Sequence, residues 1–195
     1  MYFAHCAVHA PLHAKDSDIE RYRGSYDSGW DEIRAQRFAR QQDLGIVPPN
    51  AVLPDRPTEP EHEVRAWDDH SEDERLLFAR YKETYAAMVD NIDQNLGRLR
   101  AHLEMLGEWD NTIVLFTSDN GASREGQTMG TAAYFRTLLG AARNADEDFH
   151  QADLAQIDQI GGPQTMPHYP RGWAMASNTP FRLYKVNAHH GGHQV

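Results

Sequence analysis

Three groups of polar residues stand at the ends of apolar runs and could act together on one anionic centre. Asp119 and Asn120 follow Thr112-Ile113-Val114-Leu115-Phe116-Thr117-Ser118 and precede Gly121. A carboxylate beside an amide presents two oxygen donors, the ligand type that a hard cation takes. His9 and His13 flank Pro11, and Lys185 is followed by His189 and His190. Around a hard cation, an imidazole can move a proton near neutral pH and an ammonium can neutralise an oxyanion. That combination suits the polarisation of an oxyanion ester and the departure of its leaving group. Each group also has an ordinary reading. Asp, Asn and Gly are turn formers, a histidine beside a loop proline is usually a local hydrogen-bond partner, and a lysine after an apolar run usually snorkels at the surface.

Such residues need elements to position them. The β-branched and apolar run at 112–117 predicts a strand buried on both faces, ending in the Asp119-Asn120 pair at the carboxyl edge of a sheet, where open α/β sheets bind ligands. Residues 2–8 predict a second strand, stopped by Pro11, and 180–185 a third. Residues 16–43 carry helical patches, with Asp16 a candidate cap, a turn at 26–29 and a helix from Trp30 to Leu44 closed by Gly45. Five prolines between 46 and 70 (Pro48, Pro49, Pro54, Pro57, Pro60) predict an extended surface connection. Ser71 and Glu74 form a capping box. The helix it opens reaches about Leu106, with Gly107 behind it, and is roughly 50 Å long at 1.5 Å per residue. Leu77, Tyr81, Tyr85, Met88, Ile92, Leu96, Leu99, Leu103 and Leu106 make one apolar stripe, expected to pack on a sheet. Strand, helix, strand implies a right-handed crossover and a parallel pair. Residues 122–180 lack strong periodicity; a helix at 131–142 and a shorter one at 153–160 are expected in an insertion packed around a site. The fold class expected is α/β, a mostly parallel sheet with flanking helices.

Composition narrows the partners. The chain has 195 residues, 40% hydrophobic and 25% charged, enough for one domain with a sizeable core. A net charge of −10 argues against a nucleic-acid groove, so an anionic ligand must meet local positive charge or a metal. No run approaches the roughly 18 apolar residues of a membrane span. The single cysteine, Cys6, permits no internal disulfide. The abrupt start in a strand-like run and the finish in Gly191-Gly192-His193-Gln194-Val195 lead us to expect a fragment.

The sequence resembles the type I sulfatases (arylsulfatases) of the alkaline-phosphatase-like superfamily. The resemblance is carried, in the family's order, by His9-Ala10-Pro11-Leu12-His13, Tyr26-Asp27-Ser28-Gly29-Trp30-Asp31, Tyr85-Ala86-Ala87-Met88-Val89-Asp90 with Asp93 and Gly97, Thr117-Ser118-Asp119-Asn120-Gly121, and Asn178-Thr179-Pro180-Phe181-Arg182-Leu183-Tyr184-Lys185 with Gly191-Gly192. It implies the central part of a sulfatase catalytic domain over residues 1–195, with part of the superfamily's sandwich. It implies that Asp119 and Asn120 are metal ligands for calcium (magnesium in some members), that His9 contacts the sulfate and protonates the departing alcohol or phenol, and that Lys185 binds a sulfate oxygen. His13 is expected to support these residues or the fold. The substrate implied is a small-molecule sulfate ester.

The departures carry equal weight. The family's nucleophile is a formylglycine made within a Cys/Ser-x-Pro/Ala-x-Arg signature, which this chain lacks; Cys6 precedes Ala7-Val8-His9. The family's first aspartate pair, its lysine–histidine pair and its smaller C-terminal domain have no counterpart, and His190 stands where many relatives carry glutamate. Formylglycine is therefore expected only in a full-length parent, and this chain alone is expected not to turn over. Two further readings share the same residues: a phosphonate or phosphodiester hydrolase of the superfamily, and a non-catalytic remnant that binds a sulfated ligand or a partner protein.

Overall fold

The computed structural model describes residues 1–135 and 149–193. Helix α1 (Asp16–Ile19) continues into a 3-10 turn at Glu20–Tyr22, and α2 spans Gly29–Asp43. Lys15, not Asp16, occupies the N-cap of α1, and no side chain caps it. Helix α2 is C-capped by Leu44, with Gly45 in the left-handed region at φ +68°. The long helix α3 spans Glu72–Met105. Its capping box is closed: Glu74 N donates to Ser71 Oγ at 3.3 Å, and Ser71 N donates to the Glu74 carboxylate at 2.7 Å. Short helices follow, α4 (Phe149–Ala155), α5 (Arg171–Ser177) and α6 (His190–His193).

The core is an aromatic knot where α2, α3 and α5 meet. The Trp30 ring lies edge-on to Trp67 (4.8 Å between centroids) and Trp173 (5.7 Å), and stacks on Phe78 (5.6 Å). Indole N–H groups are costly to bury without acceptors. Trp30 Nε1 donates to Arg65 O at 3.1 Å and Trp173 Nε1 to Phe78 O at 2.8 Å. Gly29 admits Trp67: its φ is +79°, and a Cβ there would lie 2.1 Å from Trp67 Cγ. The proline-rich connection is therefore more than a surface strap, since Val64 and Trp67 enter the core.

Helix α3 departs from a single stripe. From Leu77 to Met88 it is buried on nearly every side, including Lys82, Glu83 and Thr84, because the chain wraps round it. Lys82 Nζ donates to Ser177 Oγ at 2.7 Å and sits 4.2 Å from the Tyr85 ring centroid. Tyr81 Oη donates to Asp153 at 2.8 Å, which also accepts from Ala132 N at 2.7 Å. Beyond Met88 the helix emerges, and Met105 and Leu106 are exposed.

The expected parallel sheet is not formed. Among the described residues there is no strand, only isolated bridges joining Thr131 to His168 and Ala133 to Met166. The expected strands at 2–8 and 180–185 have no ladder partner, and neither does 112–117, where Ile113 is 92% exposed and Phe116 72%. An apolar β-branched run states a segment's preference, whereas a strand is a relation between two segments. The α/β expectation, with its alkaline-phosphatase-like sandwich, is replaced here by helices and irregular loops. The helix expected at 153–160 appears as α4 and a 3-10 turn at Ile157–Gln159. The helix expected at 131–142 lies largely outside the described residues.

Candidate active site

Lys185 is aimed by a tightly bent loop. Leu183 and Val186 have φ of +64° and +70°, left-handed conformations that β-branched and bulky residues rarely hold. Asn178 clamps the bend: its Nδ2 donates to Leu183 O at 2.9 Å and Gly191 O at 2.8 Å, and its Oδ1 accepts from Ala122 N at 2.8 Å. Lys185 N donates to Ala122 O at 3.0 Å, and Gly121 N to Gly192 O at 3.2 Å. These bonds lay the Lys185 segment against the loop that follows Asp119-Asn120. Gly121 is required there, because a Cβ would fall 1.9 Å from Gly191 O.

The N-terminal loop brings the imidazole. His9 Nδ1 lies 2.8 Å from Ala10 O, which can only accept, so Nδ1 carries the proton. The lone pair on Nε2 then faces Lys185 Nζ at 3.2 Å, and the ammonium donates to it. In this geometry His9 accepts and Lys185 donates. His13 turns away and holds Thr165 O at 2.7 Å, a structural contact. His189 lies 3.1 Å from Arg182 O, and the His190 ring packs on Phe181.

Asp119 is exposed and Asn120 half-buried; the amide nitrogen of Asn120 donates to Gly121 O at 2.8 Å, and among the described residues no hydrogen bond reaches its Oδ1. Their oxygens fit a hard dication by type, although two donors are a fraction of the six to eight that calcium takes. No group of three or more His, Cys, Asp or Glu among the described residues is placed to hold a metal. The structure thus joins His9 to Lys185 and bonds the Lys185 segment to the loop that follows Asp119-Asn120, while no hydrogen bond or ion pair among the described residues links the two pairs.

The Sulfatase family profile matches residues 1–195. The chain belongs to the sulfatase family. It is 35% identical over 191 residues to a sulfatase of Schizosaccharomyces pombe, covering 98% of this chain and 32% of that protein. It is 29% identical over 192 residues to an arylsulfatase of Klebsiella aerogenes, covering 98% of this chain and 38% of that enzyme. A shorter match, 48% identity over 44 residues, is to the N-acetylglucosamine-6-O-sulfatase of Bacteroides thetaiotaomicron, 23% of this chain and 8% of that protein. The chain therefore spans about a third of the length of the first two relatives.

Sequence reasoning gave no role to several polar residues of this sulfatase segment that the fold places beside Lys185. Asn178 was visible only as part of a motif. Ser123 and Glu125 follow Asn120 closely, and that proximity was the one signal available for them. Tyr134 and His168 carried none. His168 is buried and Nδ1 donates to Tyr169 O at 2.8 Å; burial pushes its pKa down to about 4, so the ring is neutral near pH 7.

Proposed function

We propose that this chain is the central segment of a sulfuric ester hydrolase and that His9 and Lys185 form its sulfate-facing pair. The observation that carries the reading is the 3.2 Å contact between Lys185 Nζ and His9 Nε2, with the Lys185 backbone bonded to the loop that follows Asp119-Asn120. Lys185 supplies a compact positive charge for a sulfate oxygen. His9, held by Ala10 O through Nδ1, keeps Nε2 directed at the same point. The couple can then deliver the proton that a departing phenol or alcohol needs once Nε2 is protonated. Asp119 Oδ and Asn120 Oδ1 would hold a calcium or magnesium ion, which when bound neutralises sulfate oxygens as charge develops on them.

The chain as it stands has no formylglycine signature, and we expect no sulfate ester turnover from it alone. The experiment is a comparison of sulfate and phosphate ester turnover by the longest natural form, with Lys185→Ala and His9→Ala beside the wild type. Sulfate ester turnover that falls by two orders of magnitude or more in each variant, roughly the contribution of one acid–base or oxyanion group, supports the reading. A preference for phosphate or phosphonate esters would replace it with the second hydrolase reading. No turnover of either class, with sulfated-ligand binding retained, would make the chain a non-catalytic remnant.

A further inference from the structure

The inward face of α2 turns polar as it leaves the aromatic knot. Trp30 and Arg34 are buried on that face, and Arg37 and Gln41, further along it, are half-buried. A packed helix ordinarily carries apolar side chains at these spacings. The exception follows from what the two residues meet. Arg37 Nη1 donates to Ser177 O at 3.2 Å, and Gln41 Nε2 donates to Thr179 O at 2.9 Å. Those carbonyls belong to the neighbours of Asn178 on either side, and Asn178 is the residue whose side chain clamps the Lys185 bend.

The whole turn is gripped. Asn178 N donates to Ala174 O at 3.0 Å, and Asn178 O accepts from Phe181 N at 2.7 Å. Thr179 Oγ1 donates to Ala176 O at 2.7 Å, and Lys82 Nζ reaches across from α3 to Ser177 Oγ at 2.7 Å. Ser177 ends α5, where carbonyls have no partner inside the helix and a cation is a favoured donor. Gln41 carries a separate sign of purpose. Its Oε1 is buried with no hydrogen-bond partner among the described residues. The amide cannot turn over to relieve it, because Thr179 O only accepts. A buried acceptor left unpaired is costly, so packing does not account for an amide here, whereas the bond to Thr179 O does.

We propose that Arg37 and Gln41 are positioning residues for Lys185. They fix the backbone on both sides of Asn178, so that its side chain meets Ala122, Leu183 and Gly191 at once. Every step onward is a hydrogen bond: Asn178 Oδ1 accepts from Ala122 N at 2.8 Å, Ala122 O accepts from Lys185 N at 3.0 Å, and Lys185 Nζ meets His9. The consequence for a sulfate oxygen rests on the sulfatase reading; the grip on Asn178 does not.

Amide hydrogen exchange of the chain, read residue by residue by NMR, tests the grip. Gln41→Met keeps the bulk of the side chain and removes the donor together with the orphan Oε1, so the fold as a whole loses little. In Gln41→Met and in Arg37→Ala the Ala122 and Lys185 amides should exchange roughly three- to tenfold faster, the weight of one ordinary hydrogen bond on a local opening. The Phe78 and Tyr81 amides of buried α3 should keep their rates, and Arg37→Lys, which retains a donor for Ser177 O, should recover most of the protection. Unchanged Ala122 and Lys185 rates in both folded variants would overturn the proposal. So would equal acceleration at Phe78 and Tyr81, or loss of the fold in Gln41→Met, because the two residues would then support the chain in general. Sulfate ester turnover by the longest natural form is scored separately: its absence removes the sulfatase reading, while the exchange rates judge Arg37 and Gln41.

Discussion

Lys185 Nζ lies 3.2 Å from His9 Nε2 although 176 residues separate them in sequence. No local rule of chain geometry brings them together. The Lys185 end is set by Asn178, which accepts from Ala122 N and donates to Leu183 O and Gly191 O; the His9 end is set by the N-terminal loop, where Leu12 N donates to Pro167 O and Ala14 N to Gly161 O.

Asn178→Ala should accordingly destabilise the chain by about 2–4 kcal/mol, since three half-buried backbone groups lose their partner at once. Asn178→Asp should be at least as damaging, because the new oxygen would face two carbonyls in place of a donor. Urea unfolding of the two variants checks this. An Asp variant as stable as wild type would show that only the Oδ1 acceptor matters.

Val186 follows Lys185 with φ of +70° and is exposed, so little packing compensates its backbone. A left-handed conformation costs an L-residue roughly 1–2 kcal/mol, and glycine relieves it at some loss of unfolded-state restriction. Val186→Gly and Val186→Asn should each stabilise the chain, by about 1 kcal/mol for glycine. The same substitutions should loosen the aim of Lys185, seen as slower sulfate ester turnover by the longest natural form. Destabilisation by both would mean that the Val186 side chain holds the bend.

The sequence made much of this local structure legible and little of its long-range pairing. The Ser71–Glu74 box, the Gly45 stop and the span of α3 follow from neighbours within four residues, and these matched. The 112–117 run predicts a doubly buried strand, yet Ile113, Leu115 and Phe116 are exposed, because burial depends on a partner that the segment itself does not encode. The site divides in the same way. His9 and Lys185 were visible as chemistry at the ends of apolar runs, and the fold joined them. Glu125, Tyr134 and His168 were invisible because their meaning lies in contacts spanning up to 45 residues.

His168 makes stability depend on acid. Its pKa falls from 6.5 to about 4 in the folded chain through burial. Between those values the unfolded state binds the proton and the folded state does not, so stability declines as pH drops through 6.5 toward 4. The shift corresponds to about 3 kcal/mol. His70, whose pKa is also lowered by burial, adds in the same direction. Chemical denaturation across this range should show the decline, and His168→Gln should flatten it. An NMR titration of the His168 ring gives an independent check; a midpoint near 6.5 would remove His168 as the cause.

Lys82 imposes the opposite test at alkaline pH. Burial drives its pKa well below the ordinary lysine value, with the Arg37 charge adding to the shift. The folded chain therefore binds fewer protons than the unfolded one below the ordinary lysine pKa of about 10.4, and stability should rise from pH 7 toward that value. The surrounding tyrosines reverse the trend only above about pH 10, where the unfolded chain ionises them first. Lys82→Met keeps the length of the side chain within the cage of Tyr26, Tyr85, Tyr169 and Trp173 and removes the buried amine. It should raise stability at pH 7 by about 1–3 kcal/mol and abolish the rise. A Met variant that is less stable at pH 7 would show that the Ser177 hydrogen bond and the aromatic rings outweigh the desolvation of the amine, and that Lys82 remains charged in the core.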